Sequence, residues 1–275
     1  MANLSDKEFK LFSELVYSAI GINLGSAKKE LVRTRLGKRL RALKIPSFKE
    51  YYRYVTNENK DELTNLFDAI STNLTSFFRE DRHFHFLTSR LLPDLEAKKK
   101  KMGDKTIRVW SSACSTGEEP YSIAITMAEY FKGENDWDIK ILATDISTKV
   151  IDVAGKGVYR ADRLKTVPPQ AIKKYFTKGR AENEGSYIVN DNLRKMVFIR
   201  RINLLAQSWP FKRQFDFIFC RNVLIYFDKY TQSKVVSNFF KHLQKNGYLF
   251  LGHAESLAGV NTPLVYIQPT IYLKK

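Results

Sequence analysis

The chain has 275 residues, 44 % of them apolar and 13 % aromatic, and a formal net charge of +17 at pH 7. That length and composition suffice for one large domain, or a main domain plus a small one, around a real core. No apolar run approaches the roughly 18 residues of a membrane span, and the charge calls for an acidic partner: nucleic acid, an anionic membrane surface or an acidic protein face.

The N-terminal stretch M-A-N-L-S-D-K-E-F lacks the apolar core of a secretory signal. Cys114 and Cys220 each close a predicted strand, a poor basis for a disulfide scaffold, so both are read as reduced, buried residues of a cytoplasmic protein. There is no C-x-x-C, and the four histidines (His83, His85, His242, His253) are scattered, so no structural zinc site is expected.

Residues 5 to about 70 read as helical. Ser5 and Asp6 can cap a helix with Phe9, Phe12, Leu15, Val16 and Ala19 at helical spacing, and Gly21 and Gly25 bracket its end. In the next helix, about 27–43, Val32, Leu36, Leu40 and Leu43 form one apolar stripe. Arg33, Arg35, Lys38, Arg41 and Lys44 spread over the rest, with Arg39 at the stripe's edge and Glu30 the single acid. Such a face would repel itself without a partner and reads as a docking surface. Pro46-Ser47 starts a third helix and residues 61–70 make a fourth.

Residues 72–79, T-N-L-T-S-F-F-R, form an unusual joint in which hydrogen-bonding Asn73, Thr75 and Ser76 precede Phe77 and Phe78. This suits either a ligand lid or a capped helix start. A long helix follows, interrupted near Pro93, to the Lys98–Lys101 run, which reads as a solvated helix end and linker.

From Thr106 the pattern switches to α/β. Ile107, Val109 and Trp110 read as a buried strand, residues 111–117 as a small-residue loop, and Pro120 marks the first turn of a helix. Strand, tight loop and helix N-terminus make the ligand-facing corner of a doubly wound sheet. The loop lacks G-x-G-x-x-G, and Glu118 and Glu119 stand where a pyrophosphate would need positive potential. Acid there suits an amine-bearing ligand, or merely complements the helix dipole. A second strand, 139–144, ends in Asp145, placed either to take ribose hydroxyls or to cap the helix starting near Ser147. Residues 157–200 read as a small antiparallel insert, including an extended run at 196–202, whose edge could add a peptide strand. F-D-F-I-F-C, 215–220, is the most clearly buried strand and runs into R-N-V-L-I-Y-F-D. A helix at about 231–243, a turn at Asn246-Gly247 and alternating segments complete the sheet.

Taken together, T-N-L-T-S-F-F-R, W-S-S-A-C-S-T-G-E-E-P-Y-S-I-A, A-T-D-I-S and F-D-F-I-F-C-R-N-V-L-I-Y-F-D resemble the CheR family of chemotaxis receptor glutamate methyltransferases, over nearly the whole chain. The resemblance implies an α/β fold: a Rossmann-like class I S-adenosylmethionine-dependent methyltransferase domain (106–275), with an inserted antiparallel β-subdomain (about 157–200). A small all-helical N-terminal domain (1–80) and a connecting helix and linker (81–105) precede it. It implies cofactor contacts at Asn73, Thr75, Arg79, the Glu118/Glu119 pair with Glu119 preferred, Asp145, Asn203, Leu204, Asn222 and Val223. Arg79 and Tyr226 match the family's active-site arginine and tyrosine. The implied product is S-adenosylhomocysteine. The implied partner is the acidic helical cytoplasmic region of methyl-accepting chemotaxis receptors, docked on the basic helix (Arg33, Arg35, Lys38, Arg39, Arg41). In some members the β-insert also holds a receptor C-terminal peptide.

The chemistry fits those residues. A glutamate acceptor, with an ordinary pKa of about 4.3, is already ionised at pH 7 and needs no general base. The task is alignment in a dry pocket. Arg79 could place the acceptor carboxylate by a charge-assisted pair, and Tyr226 could stand beside the methyl group. Two rival classes remain: a nucleic-acid methyltransferase, suggested by the charge, and a non-catalytic cofactor- or receptor-binding module. Against the first, the chain has Arg221-Asn222-Val223-Leu224 where exocyclic-amine methyltransferases carry an Asn/Asp-Pro-Pro-aromatic turn, and neither cysteine follows a proline. Nucleic acid and membrane insertion are therefore not expected.

Overall fold

A computed structural model describes residues 3–134 and 136–275, the side chain of Lys60 excepted. Helices α1 (Asp6–Ile20), α2 (Lys29–Leu43), α3 (Phe48–Arg53) and α4 (Lys60–Ile70) form the N-terminal part. Ser5 and Glu8 close a reciprocal capping box at the start of α1, and Gly21, at φ 73°, ends it. Val32, Leu36 and Leu40 of α2 are buried with Phe12, Val16, Tyr51 and Leu66 in a core of their own. A helical stretch follows the joint: α5 (Arg82–Phe86), a π-turn at Leu87–Leu91, and α6 (Leu92–Met102) with Pro93 in its first turn.

The larger part alternates strand and helix: β1 (Thr106–Ser112), α7 (Glu118–Tyr130), β2 (Asp138–Asp145) and α8 (Thr148–Lys156). Next come the small strands β3 (Val158–Arg160), β4 (Phe176–Lys178) and β5 (Ser186–Val189), with α9 (Pro169–Tyr175) before β4. After α10 (Asp191–Arg194) the chain forms β6 (Val197–Arg201), β7 (Phe215–Cys220), α11 (Lys229–His242), β8 (Leu243–Leu251), β9 (Val265–Gln268) and β10 (Ile271–Leu273). The main sheet has the order β6-β2-β1-β7-β8-β10-β9; β6 through β8 are mutually parallel, and β10 is antiparallel to both its neighbours. Its two faces carry separate apolar clusters, one around Val109, Ile123 and Phe217, the other around Trp110, Trp209 and Phe239. Burial of β7 at all six positions explains its unbroken apolar run.

Three expectations are corrected here. The extended run at 196–202 does not belong to the insert: β6 pairs in parallel with β2 at the edge of the main sheet, while the insert is the three-stranded sheet β3-β5-β4. An edge strand is half exposed and alternates, so from sequence it looks like an isolated ribbon. The Lys98–Lys101 run is not wholly solvated, because Lys99 is buried between Asp104 and Asp216, 3.1 Å from each. His83 and His253 are not scattered; their ring centroids lie 5.8 Å apart.

Helical domain and sheet are tied at several points. Tyr17 donates to Asp228 at 2.5 Å, Asn203 donates to the Ala19 carbonyl at 2.8 Å, and the Asn23 N–H donates to the Tyr226 carbonyl at 2.8 Å. These contacts bring the end of α1 over the C-terminal ends of the parallel strands, where open α/β sheets bind ligands.

Candidate functional site

The parallel strands leave a cleft above their C-terminal ends, lined by the loops after β1, β2 and β7 and by the end of α1. Its floor is built by backbone the sequence bends sharply. After β1 the chain passes through Ala113 (φ 103°), Ser115 (φ 49°) and Gly117 (φ 97°). Gly117 has no room for a side chain, since a Cβ would lie 2.7 Å from the Tyr159 hydroxyl and 2.9 Å from Ala154 Cβ. The N–H groups of Ala113 and Cys114 both donate to the Thr144 carbonyl at 2.8 Å, locking the loop to β2.

Asp145 is not the helix cap, a position held by Ser147, but it closes the turn before α8 and lines the cleft. Its carboxylate accepts from the Ser147 N–H at 3.0 Å, as a turn-closing residue does, and from the Ser115 N–H at 2.9 Å, while the residue lines the cleft. Burial pushes its pKa up against the Ser147, Ser115 and Ile146 N–H groups.

Glu119 lines the cleft; Glu118 does not. Adjacent positions on a helix point about 100° apart, and the fully buried Glu118 turns toward the insert, where Arg163 donates to it at 3.0 Å and Thr116 at 2.6 Å. Of the Glu118/Glu119 pair, implied together as cofactor contacts, the structure thus brings only Glu119 to the cleft and pairs Glu118 with Arg163. Glu119 accepts from Ser111 at 2.7 Å and from Arg221 at 3.1 Å. Burial pushes its pKa up, and Arg221 draws it back.

Arg221 follows directly on the apolar strand β7, is itself buried, and pairs with Glu80 as well as Glu119, each at 3.1 Å. It also donates to the Arg79 carbonyl. Burial opposes the charge on Glu80, but Arg221 and the His253 N–H together hold its pKa below the usual range. No role was predicted for Arg221 or Glu80. A signal existed: an arginine straight after a strand with no exposed face must meet acid inside. The Glu80, His83 and His253 side chains converge within 4.8 Å beside this network, but the guanidinium already occupies the cationic position next to Glu80.

The joint forms the facing wall of the cleft and is not a helix start, since α5 begins only at Arg82. Asn73 accepts from Ser115 at its carbonyl (3.2 Å), Thr75 accepts from Arg163 likewise (3.2 Å), and Arg79 donates to the Leu74 carbonyl at 2.8 Å. Asn73, Thr75, Arg79, Asp145, Asn203, Leu204, Asn222, Val223 and Tyr226 all line the cleft. Within this set Asn203 spends its amide on the Ala19 carbonyl and the Leu205 N–H, and its carbonyl accepts from the Ala206 N–H at 3.1 Å and the Trp209 indole at 3.3 Å, so it shapes the cleft wall with its polar groups already engaged. Ile20 and Ile22, which were not predicted, bring the helical domain into the lining.

The basic helix is less uniformly outward than its sequence suggests. Arg35 donates to the carbonyls of Ile70 (2.6 Å) and Ser71 (2.9 Å), satisfying the end of α4 where the joint begins. Arg39 pairs bidentately with the buried Glu62. Arg33 pairs with Glu30, while Lys38 and Arg41 are exposed and make no ion pair among the described residues.

An acid-lined cleft at a strand–loop–helix corner, walled by a helical domain, is matched by two adjoining family models: the CheR methyltransferase all-alpha domain over residues 7–71 and the CheR methyltransferase SAM binding domain over residues 73–273. The chain belongs to the CheR methyltransferase family. The chain is 39 % identical to the chemotaxis protein methyltransferase of Borreliella burgdorferi, over 99 % of this chain and 95 % of that protein. It is 41 % identical to chemotaxis protein methyltransferase 2 of Pseudomonas aeruginosa (97 % and 92 % covered) and 38 % identical to the Escherichia coli chemotaxis protein methyltransferase (98 % and 91 %). The CheR models meet at residue 72, so the joint goes with the methyltransferase part.

The cofactor is S-adenosylmethionine, and the residues present fit it. The loop after β1 and the carboxylates of Glu119 and Asp145 face the cleft, a donor set compatible with a ribose and an ammonium group. No helix among the described residues is long and apolar enough to cross a membrane.

Proposed function

We propose that this chain transfers a methyl group from S-adenosylmethionine to glutamate side-chain carboxylates of chemotaxis receptors, forming methyl esters that serve sensory adaptation. The observation that carries this reading is the absence of a free base. No histidine or cysteine is among the described residues that line the cleft. Its two acids, Glu119 and Asp145, are committed to Arg221 and to backbone N–H groups. An amine or hydroxyl acceptor must shed a proton; a carboxylate, with a pKa of about 4.3, has none to shed at neutral pH.

When bound, the cofactor supplies an activated methyl group on a sulfonium. The chain's residues then orient and exclude water. Asp145 would take the ribose, Glu119 the ammonium, and the Asn222-Val223 turn with Leu204 would hold the rest of the cofactor. Arg79 would direct the acceptor carboxylate, and Tyr226 would stand beside the methyl group. Transfer of the methyl group from the sulfonium to a carboxylate oxygen would break the carbon–sulfur bond as the ester bond forms and cancel both charges, so a low-dielectric cleft would favour it.

The outward cations Arg33, Lys38 and Arg41 suit an acidic receptor helix, with Arg35 and Arg39 fixing the helix that carries them. The unpaired edges of β3 and β4 suit a receptor C-terminal peptide added as a strand. This work would be done in the cytoplasm. The test uses S-adenosylmethionine labelled in the methyl group, offered with a receptor cytoplasmic fragment and, separately, with RNA and DNA. Label on the receptor that mild alkali releases as volatile methanol supports the reading. Alkali-stable label on nucleic acid, with none on the receptor, overturns it.

A further inference from the structure

Lys28 stands in the turn Ser26–Lys28, just before the basic helix α2 and outside the set of arginines that its sequence makes conspicuous. Its Nζ lies 5.3 Å from the centroid of the Tyr226 ring. Lys28 is half-buried and makes no ion pair or hydrogen bond through its ammonium among the described residues. An ammonium held on an aromatic face without an anionic partner retains its capacity for an anion.

The backbone makes this placement firm. The Asn23 N–H donates to the Tyr226 carbonyl at 2.8 Å, and the Lys28 N–H donates to the Gly25 carbonyl at 2.8 Å, so the 23–28 segment is pinned to the loop that presents Tyr226. Tyr226 itself lines the cleft, and its hydroxyl is without a hydrogen bond among the described residues. Inward of the ring the fixed side chains are acidic or neutralised: Glu119 and Arg221 cancel, and Asp145 is a carboxylate. Arg79, the other cation of the lining, is drawn to the Leu74 carbonyl and lies 3.9 Å from Glu80. Lys28 therefore adds, beside the ring, a cation without an ion pair among the described residues, whereas the lining cations Arg221 and Arg79 are engaged with Glu80, Glu119 and the Leu74 carbonyl.

We propose that Lys28 is a positioning residue for the acceptor: its ammonium captures the incoming carboxylate at the cleft mouth and delivers it across the Tyr226 ring. The inference rests on the carboxylate-acceptor reading above. Lys28 gives up no proton and forms no bond. A cation beside the carboxylate stabilises it before reaction as well as during it, so its contribution falls on acceptor binding more than on the chemical step. The helical domain is then a working part of the cleft as well as a docking surface, because it supplies the group that recognises the acceptor's charge.

The experiment measures initial rates of alkali-labile methyl transfer to a receptor cytoplasmic fragment for the full chain and for Lys28→Arg, Lys28→Gln and Lys28→Glu, with cofactor affinity measured in parallel by calorimetry. For Lys28→Gln the acceptor KM is expected to rise about tenfold, the size of one charge-assisted contact in a partly buried setting, with kcat changed less than threefold and cofactor Kd unchanged. Lys28→Arg should restore most of the KM, Lys28→Glu should raise it further, and the wild-type KM should climb with salt more steeply than that of Lys28→Gln. An unchanged acceptor KM in Lys28→Gln overturns the inference. So does an equal loss of cofactor affinity, which would mark a role in holding the domains together. Failure of the wild-type chain to place any alkali-labile label on the receptor would instead remove the carboxylate-acceptor reading itself.

Discussion

Replacing Arg221 with methionine removes the one cation shared by Glu80 and Glu119 and leaves both carboxylates inside the protein. Arg221 contacts them at 3.1 Å each and is itself only 6 % exposed. Removing one partner of a buried pair costs about 3–5 kcal/mol, chiefly because the survivor keeps its desolvation penalty. For a chain of this length each kcal/mol shifts the melting temperature by roughly 2–4 °C, so Arg221→Met should melt on the order of 10 °C lower. The consequence for function follows from Glu119. Burial already pushes its carboxyl up, and the guanidinium is the main opposing influence. Without it Glu119 takes up a proton at a higher pH and loses its attraction for an ammonium, so cofactor affinity at neutral pH should drop at least about tenfold, one charge-assisted contact. Calorimetric melting with cofactor titration checks both numbers. Adding Glu80→Gln to Arg221→Met should recover part of the stability, with a coupling of about 1–3 kcal/mol as for residues in one network. A melting shift below about 3 °C, with the double variant strictly additive, would show that the network is solvated and the reasoning wrong.

Asp145→Ala should weaken the cofactor strongly, by a measured Kd increase of about tenfold or more, and also cost about 1–3 kcal/mol because the Ser115 and Ser147 N–H groups lose their acceptor; unchanged cofactor affinity would remove Asp145 from the site. Tyr226→Phe should leave cofactor Kd unchanged and slow single-turnover transfer; an unaltered transfer rate would show that the hydroxyl has no part. Because burial raises both Asp145 and Glu119, calorimetric cofactor affinity should fall on acidification at a pH above the ordinary carboxylate range of about 4. His83 is held to about 3 by burial and by Arg221, against an ordinary 6.5; between those values the unfolded chain binds one more proton than the folded one. Stability should therefore rise with pH across that window by up to about 1.4 kcal/mol per unit and level off above it, a slope that His83→Gln should lack in denaturant titrations.

What could be read from sequence alone divides by the range of the interactions. The capping box at Ser5, the apolar stripe of α2 and the strand–loop–helix corner at Thr106 depend on neighbours a few residues away, and all appear as expected. The four motifs carried the cofactor cleft because their small and polar residues have little use elsewhere. The corrections concern charges whose partners are distant in the chain. Glu118 finds Arg163, 45 residues on; Arg35 finds the end of α4, about 35 residues on; Arg221 finds Glu80, 141 residues back. Helical periodicity tells which face a residue occupies but not what lies opposite. For the same reason β6 could not be assigned to the main sheet, since its register is set by β2, more than fifty residues earlier.

Of the nine non-glycine residues with positive φ among the described residues, five lie in the segments around the cleft and four (Lys44, Ala181, Asn246 and Thr270) lie elsewhere. Phe78, Glu80, Ala113, Ser115 and Asn222 all have positive φ, a conformation costing about 1 kcal/mol or more for a residue with a side chain. Each is held by a tertiary hydrogen bond or a locked neighbour. The Phe78 N–H donates to Ser122, the Glu80 carbonyl accepts from the His83 N–H, Ala113 donates to Thr144, Ser115 to Asp145 and Asn222 to Glu255. At Asn222 the fit is tight enough that Gly252 opposite must lack a side chain: a Cβ there would lie 2.8 Å from the Asn222 nitrogen. The same bonds that hold these turns also aim Asp145, Glu119 and the 222–226 loop at one volume. A chain relaxed at those positions would let the loops retreat onto the sheet. In the carboxylate methylation proposed above, with no acid–base step, the rate depends on the distance between acceptor oxygen and methyl carbon, and backbone held in these turns is what such placement requires.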